Sequence, residues 1–173
     1  MPLREKEMMN KLKTVPVLLT GLLSMMAAMA SSSLYMEVPG ITGPVTAVNY
    51  SGWINVMSFS LGYQKATCNS LSVRKLLDMT SPPLTMAAVA GTFYPTVTLV
   101  SVVNSDSPRE EFRLKLFNAA VINVQQAGSG ETPTESLSFQ PSSVEVTYYV
   151  QSANGSTTQA VTSTVDCQAV KVR

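Results

Sequence analysis

The sequence predicts a mainly β protein: a compact antiparallel β-barrel of two curved sheets with one short flanking α-helix. Three observations carry that prediction. Many segments alternate in polarity with a period of two, the spacing that sends successive side chains to opposite faces of a strand. Turn-forming Gly, Asn, Ser and Pro separate these segments at short intervals. Only one stretch breaks the alternation, and it carries the residues that start and stop a helix. Numerous short strands favour closure, because a barrel hides edges that would otherwise pair with other chains.

The chain opens on a different pattern. Arg4, Lys6, Lys11 and Lys13 precede an uncharged run from Thr14 to Ala30, and Ala28-Met29-Ala30 places small residues in an A-x-A arrangement. That order reads as a secretory signal peptide over residues 1–30, cut between Ala30 and Ser31. The run of 17 residues includes several Ala, Ser, Thr and Gly. It is shorter than the roughly 20 strongly apolar residues that span a bilayer, so no stable membrane anchor is expected. Residues 31–173 would then form a single domain, long enough to bury its own core.

Within that domain "SLYMEV" is the first candidate strand. "INVMSFSLGY" alternates over ten residues, with Met57, Phe59, Leu61 and Tyr63 on one face and Ile54, Val56, Ser58 and Ser60 on the other. "SLSVRKLL" follows. In "TSPPLTMAAVAGTF", Ser81 can cap a helix, Pro82 suits the first helical position and Gly91 the left-handed stop. "YPTVTLVSVV" and "EFRLKLF" resume the alternation, the second setting Phe112, Leu114 and Leu116 against Arg113 and Lys115. "AVINVQQ", "TESLSF", "VEVTYYVQ" and "TSTVDCQAVKV" bring the expected total to about nine strands. Asn154-Gly155 predicts a tight turn before the last of them.

Composition argues against catalysis. The sequence holds no His, which removes the usual general base and the commonest metal ligand. Glu110 and Glu111 are adjacent, so on a strand they point to opposite faces. No G-x-S-x-G elbow occurs. The Gly-Ser-Gly of residues 128–130 follows a strand, without the Lys-Ser/Thr pair and helix of a phosphate loop. Trp53 reads as packing. No enzyme activity, cofactor or metal is expected. Loss of the signal would leave eight basic and nine acidic residues, a net charge of −1; that is no basis for binding nucleic acid or an anionic membrane surface. Cys68 and Cys167 are an even pair behind an export signal and read as one disulfide, the alternative being two buried thiols.

The order of these segments resembles the Hcp family of type VI secretion tube proteins (haemolysin-coregulated proteins) over nearly the whole mature chain. "LYMEVPGITG" resembles the family's first strand and Gly turn, and "INVMSFSLG" its second strand. "VRKLLDMTSPPLTMAAVAGTFYPTVTL" is similar to its strand, helix and following strand. "VINVQQAGSGETPTESLSF" resembles its Gly-rich loop and Thr-Glu-led strand, and "TYYVQSANGSTTQAVTSTVDCQAVKV" its closing hairpin. No one of these motifs is highly specific; their order is.

The resemblance implies a structural, non-enzymatic protein that forms homo-hexameric rings, stacks them into tubes and meets secretion-apparatus components or small effector proteins. The small, uncharged face of Ile54, Val56, Ser58 and Ser60 is then a candidate ring or lumen surface. Three features set this chain apart from family tube subunits, which are built in the cytoplasm: the export signal, the cysteine pair, and a short Gln64–Ser70 loop where the family often has a long Gly-rich one. Expectation therefore favours an exported ring protein, in the periplasm or outside the cell. The alternatives are a conventional tube subunit and effector carrier starting at Met29, and a monomeric secreted binding module.

Overall fold

A computed structural model describes residues 31–64, 67–105, 107–130, 132–152 and 157–167. Ala28, Ala30 and the rest of the predicted signal lie outside the described residues, as does the Asn154-Gly155 turn. The elements, in chain order, are β1 (Ser32–Glu37), β2 (Ile54–Val56), β3 (Ser58–Ser60), β4 (Tyr63–Gln64), β5 (Thr67–Cys68), β6 (Leu71–Leu76), α1 (Ser81–Ala90), β7 (Phe93–Val103), β8 (Arg109–Ala127), β9 (Thr134–Gln140), β10 (Ser143–Gln151) and β11 (Thr157–Asp166).

The strands pair antiparallel in the order β2-β1-β7-β8-β9-β6-β3, with β10 added to β8 and β11 to β10. β4 and β5 make a separate two-stranded sheet. The two ends of the main path, β2 and β3, are neighbours in the chain across Met57, whose amide donates to Arg74 of β6 at 2.8 Å. The sheet therefore wraps back on itself, although the ladder does not run on between β2 and β3.

Two expected boundaries move, each for an identifiable reason. "EFRLKLF" and "AVINVQQ" are one strand of 19 residues, β8. Asn118 bends it without ending it, with φ 45°, the left-handed region that Asn tolerates better than most residues. Before this bend Phe112–Phe117 pair with β10; beyond it Ala120–Ala127 pair with β9. One strand thus pairs in turn with β10 and β9.

The second change splits "INVMSFSLGY". Ile54 and Val56 point into the core, and continued alternation would bring Ser58 in and leave Phe59 out. Instead Met57 and Ser58 are both exposed and Phe59 packs against the core. A one-residue slip exchanges the faces of a strand, and burying Phe in place of Ser favours making it here, where the chain passes from β1 to β6 as partner.

The interior is filled by Met36, Ile54, Leu71, Leu84, Leu99, Leu114, Leu116, Leu137 and Phe139, none more than about 1% exposed. Each such side chain contributes roughly 1.5–3 kcal/mol relative to exposure. From Val97 to Val103 β7 is buried on both faces. On its outer side Tyr35 stacks on Tyr50 at 5.2 Å and Trp53 meets Tyr50 edge-on at 5.3 Å. The segment carrying Tyr50 and Trp53 folds tightly because Gly43 has no side chain: a Cβ there would lie 2.2 Å from the Trp53 carbonyl oxygen.

The helix forms where expected, with its cap one residue earlier. Thr80, not Ser81, occupies the N-cap position, and Gly91 ends the helix at φ 63°. Ser81 is drawn inside because its hydroxyl is committed to the ion network described next.

Candidate functional site

A buried ion network joins β6, β9 and the start of α1. Lys75 follows Leu71 and Val73 on the inward face of β6, Glu135 precedes Leu137 and Phe139 on that of β9, and the ladder sets Lys75 opposite Glu135. Lys75 Nζ lies 2.8 Å from Glu135 Oε1 and 2.9 Å from Asp78 Oδ1, and donates to the Leu76 carbonyl at 2.8 Å. Ser81 Oγ donates to Glu135 Oε1 at 2.8 Å and accepts the Asp78 amide at 3.0 Å. Gln126 Nε2 donates to Glu135 Oε2 at 3.3 Å.

Burial raises the Asp78 carboxyl, but hydrogen bonds from Thr80 and Lys75 outweigh it and hold the group below its ordinary range. The side chains of Lys75 and Glu135 have no solvent exposure, so no substrate reaches them. Their work is positional. They tie β6 and β9 to the first turn of α1 and so fix which side of the helix turns outward.

That outward side is apolar. Leu84 and Ala87 face in, while Pro82, Pro83, Met86, Val89 and Ala90 face out, with Met86 66% and Val89 79% exposed. α1 contains no charged residue. A helix that is apolar all round is normally covered by something. Beyond its C-terminus, Phe93 is 71% exposed opposite Ala120, two residues before the exposed Ile122.

A second open surface is the edge strand β11, which pairs only with β10 among the described residues. Its ten residues include one charge, Asp166 at the end, and no Pro, so it lacks two of the devices that normally protect an edge. Across this hairpin Tyr148 faces Val161, both more than half exposed, while Thr147 and Thr162 meet at 3.0 Å between their hydroxyl oxygens.

The predicted site residues divide as follows. Cys68 and Cys167 are bonded, with Cα atoms 4.8 Å apart across 99 positions of sequence. The proposed four-residue face is not one face: Ile54 and Val56 are core residues, while Ser58 and Ser60 are exposed on β3 beyond the slip at Met57. Ser31, the expected first residue after processing, accepts the Asn104 amide on its carbonyl at 2.8 Å.

Among the described residues Glu110 and Glu111 share no partner. Tyr50 Oη donates to Glu110 at 2.9 Å and Arg113 Nε to the same carboxylate at 2.8 Å, whereas Glu111 accepts from Ser101 and Ser32. Burial, reinforced by Glu110, pushes the Tyr50 hydroxyl well above its ordinary range; the hydrogen bond to Glu110 raises Arg113 further. Among the described residues no three of His, Cys, Asp and Glu gather as a metal-binding set. The Gly-Ser-Gly segment borders an open cavity of about 210 Å³ with Arg74, whose guanidinium donates to Thr134 at 3.4 Å. Among the described residues no helix is long and apolar enough to cross a membrane.

A β-barrel with one flanking helix, a fully enclosed ion pair, an apolar helix face and a strand edge that is unpaired among the described residues defines a protein of surfaces. Residues 35–148 match the family described as "Type VI secretion system effector, Hcp", and the chain belongs to that family. No curated protein sequence matches it. Among solved structures it is similar to Hcp1 from Salmonella typhimurium, with 22% identity, a TM-score of 0.72 and coverage of 81% of this chain and 96% of that one. It is also similar to a type VI secretion system effector from Yersinia pestis (21% identity, TM-score 0.67, 77% and 98% covered) and to the secreted protein Hcp3 from Pseudomonas aeruginosa (16%, 0.64, 79% and 98%). These likenesses establish the fold.

Proposed function

We propose that this protein is a non-enzymatic structural member of the type VI secretion tube family that is exported and assembles with copies of itself into hexameric rings, which stack into tubes. The observation that carries this reading is the nearly uncharged edge of β11, unpaired on its outer side among the described residues. An unprotected edge of this length is a template for another chain, and a second copy supplies an equivalent barrel at every encounter. The apolar outer side of α1, with Phe93, gives a second surface to cover. Ser58 and Ser60, outward on β3, remain candidates for a ring or lumen surface. Small effector proteins or secretion-apparatus components are the partners a tube would carry or meet.

The disulfide supports assembly in the periplasm or outside the cell, because such bonds persist in oxidising compartments. A start at Met29 would leave β1 whole, since β1 begins at Ser32; this keeps the conventional, cytoplasmically assembled subunit as the second reading. Native mass spectrometry, without reductant, of protein purified from its producing cells separates the two. Hexamers of oxidised subunits beginning at Ser31 are expected. Reduced hexamers beginning at Met29 or Ala30 would establish the second reading, and oxidised monomers would overturn ring assembly.

A further inference from the structure

We propose that the Cys68–Cys167 disulfide is a redox latch that arms β11 as the strand-pairing edge for a second copy of the chain. The inference rests on the self-assembly reading above and adds to it a condition under which assembly occurs. Among the described residues the β4–β5 hairpin has no ladder to the main sheet. It is closed by the Asn69 amide on the Gly62 carbonyl at 2.9 Å, β5 packs against β11, and its one covalent tie to the barrel's last strand is the bridge from Cys68 to Cys167.

β11 is held chiefly by its nine-pair ladder to β10 and by the Thr147–Thr162 hydroxyl contact. From Gln159 to Thr164 its side chains are exposed, and its ladder runs to β10 alone among the described residues. Beyond its end, Cys167 donates its amide to Ser142 at 2.9 Å and packs its sulfur against the core beside buried Cys68. The bridge therefore adds a covalent hold at the end of a strand whose exposed stretch from Gln159 to Thr164 is laddered to β10 alone among the described residues. A strand held in register binds a partner strand at a lower ordering cost than a frayed one. Oxidation would thus prepare the edge without touching the edge itself.

The chemistry is ordinary thiol–disulfide exchange. A thiolate attacks the Sγ of half-buried Cys167, the Cys68 sulfur leaves as thiolate and takes up a proton, and a second thiol resolves the mixed disulfide. Two reductant thiols become one disulfide while Cys68 and Cys167 each gain a hydrogen. In the reverse direction a disulfide oxidant accepts the two electrons. A chain in a thiol-reducing compartment would remain unarmed, and the same chain after export would assemble.

The test compares oxidised protein, the same protein in excess dithiothreitol, and the Cys68→Ser/Cys167→Ser double variant. Native mass spectrometry gives oligomeric state, amide hydrogen exchange reads local order, and far-UV circular dichroism checks that the barrel persists. The expected result is a folded reduced protein whose exchange quickens over residues 61–70 and 159–167. Its half-assembly concentration rises about tenfold or more, and the double variant behaves alike. Equal assembly in both redox states overturns the latch and leaves self-assembly standing. Absence of assembly in both states overturns the self-assembly reading and the latch with it. Unfolding of the reduced barrel also overturns the latch, since the bridge would then hold the whole fold and not one edge.

Discussion

Lys75 and Glu135 face each other across the β6–β9 ladder with Nζ and Oε1 2.8 Å apart and neither side chain exposed to solvent. Two ions taken wholly out of water recover their desolvation cost only with every polar atom partnered, and here Asp78, Ser81, Gln126 and the Leu76 carbonyl supply those partners.

Removing one member leaves the other buried and poorly compensated. Glu135→Gln is expected to destabilise the fold by about 3 kcal/mol, while Lys75→Met combined with Glu135→Leu restores most of that loss. Urea denaturation of the two variants and the parent measures both, and a tolerated Glu135→Gln would show that Asp78 alone suffices as counter-ion.

Asp78 makes this region sensitive to acid. A carboxyl held below its unfolded value binds its proton less readily in the native state. Its contribution is therefore complete above the unfolded pKa, near 4, and is lost as pH falls through the lower folded value. Asp78→Asn is expected to lower stability by about 1–2 kcal/mol at pH 7, and the difference should shrink below pH 4. Denaturation midpoints from pH 7 to pH 2 follow it directly.

The disulfide closes a long loop, so in the chain-entropy view it removes much freedom from the unfolded chain. Reduction is expected to lower unfolding free energy by about 4 kcal/mol. Equilibrium unfolding with and without reductant gives the value.

Outward residues should separate stability from assembly. Met86→Glu with Val89→Glu on α1, or Ser58→Arg with Ser60→Arg on β3, is expected to shift the melting temperature by less than about 2 °C. Sedimentation velocity then reports whether each pair blocks ring formation; loss of rings is expected for both. Unchanged rings in either pair would remove that face from the interface.

Much of this fold is legible in the sequence because period-two alternation survives burial of one face. "EFRLKLF" and "TESLSF" place Leu114, Leu116, Leu137 and Phe139 inward as their spacing requires. What escaped was local inversion. The slip at Met57 leaves no mark in "INVMSFSLGY", because Ser is tolerated on either face and only the competition between Ser58 and Phe59 for the interior settles it. Asn118 likewise reads as a turn residue, although here it bends a strand whose pairing continues on both sides.

The ion pair was within reach. Lys75 falls in step with Leu71 and Val73, and Glu135 with Leu137 and Phe139, so each charge stands where the pattern demands an apolar group. Two opposite charges at inward positions of separate strands are a signal for burial together. The open surfaces are harder to read, since β11 looks like any polar strand until its neighbours are known.

The distance along the chain between paired strands sets a tempo as well as a shape. β1 joins β7, with Leu34 opposite Ser101, and β6 joins β9, with Val73 opposite Leu137; more than sixty residues must be gathered before either ladder closes. Such topologies fold slowly, because loop entropy is lost before any contact rewards it. A polypeptide slow to commit keeps its strand edges open for longer, within reach of other chains.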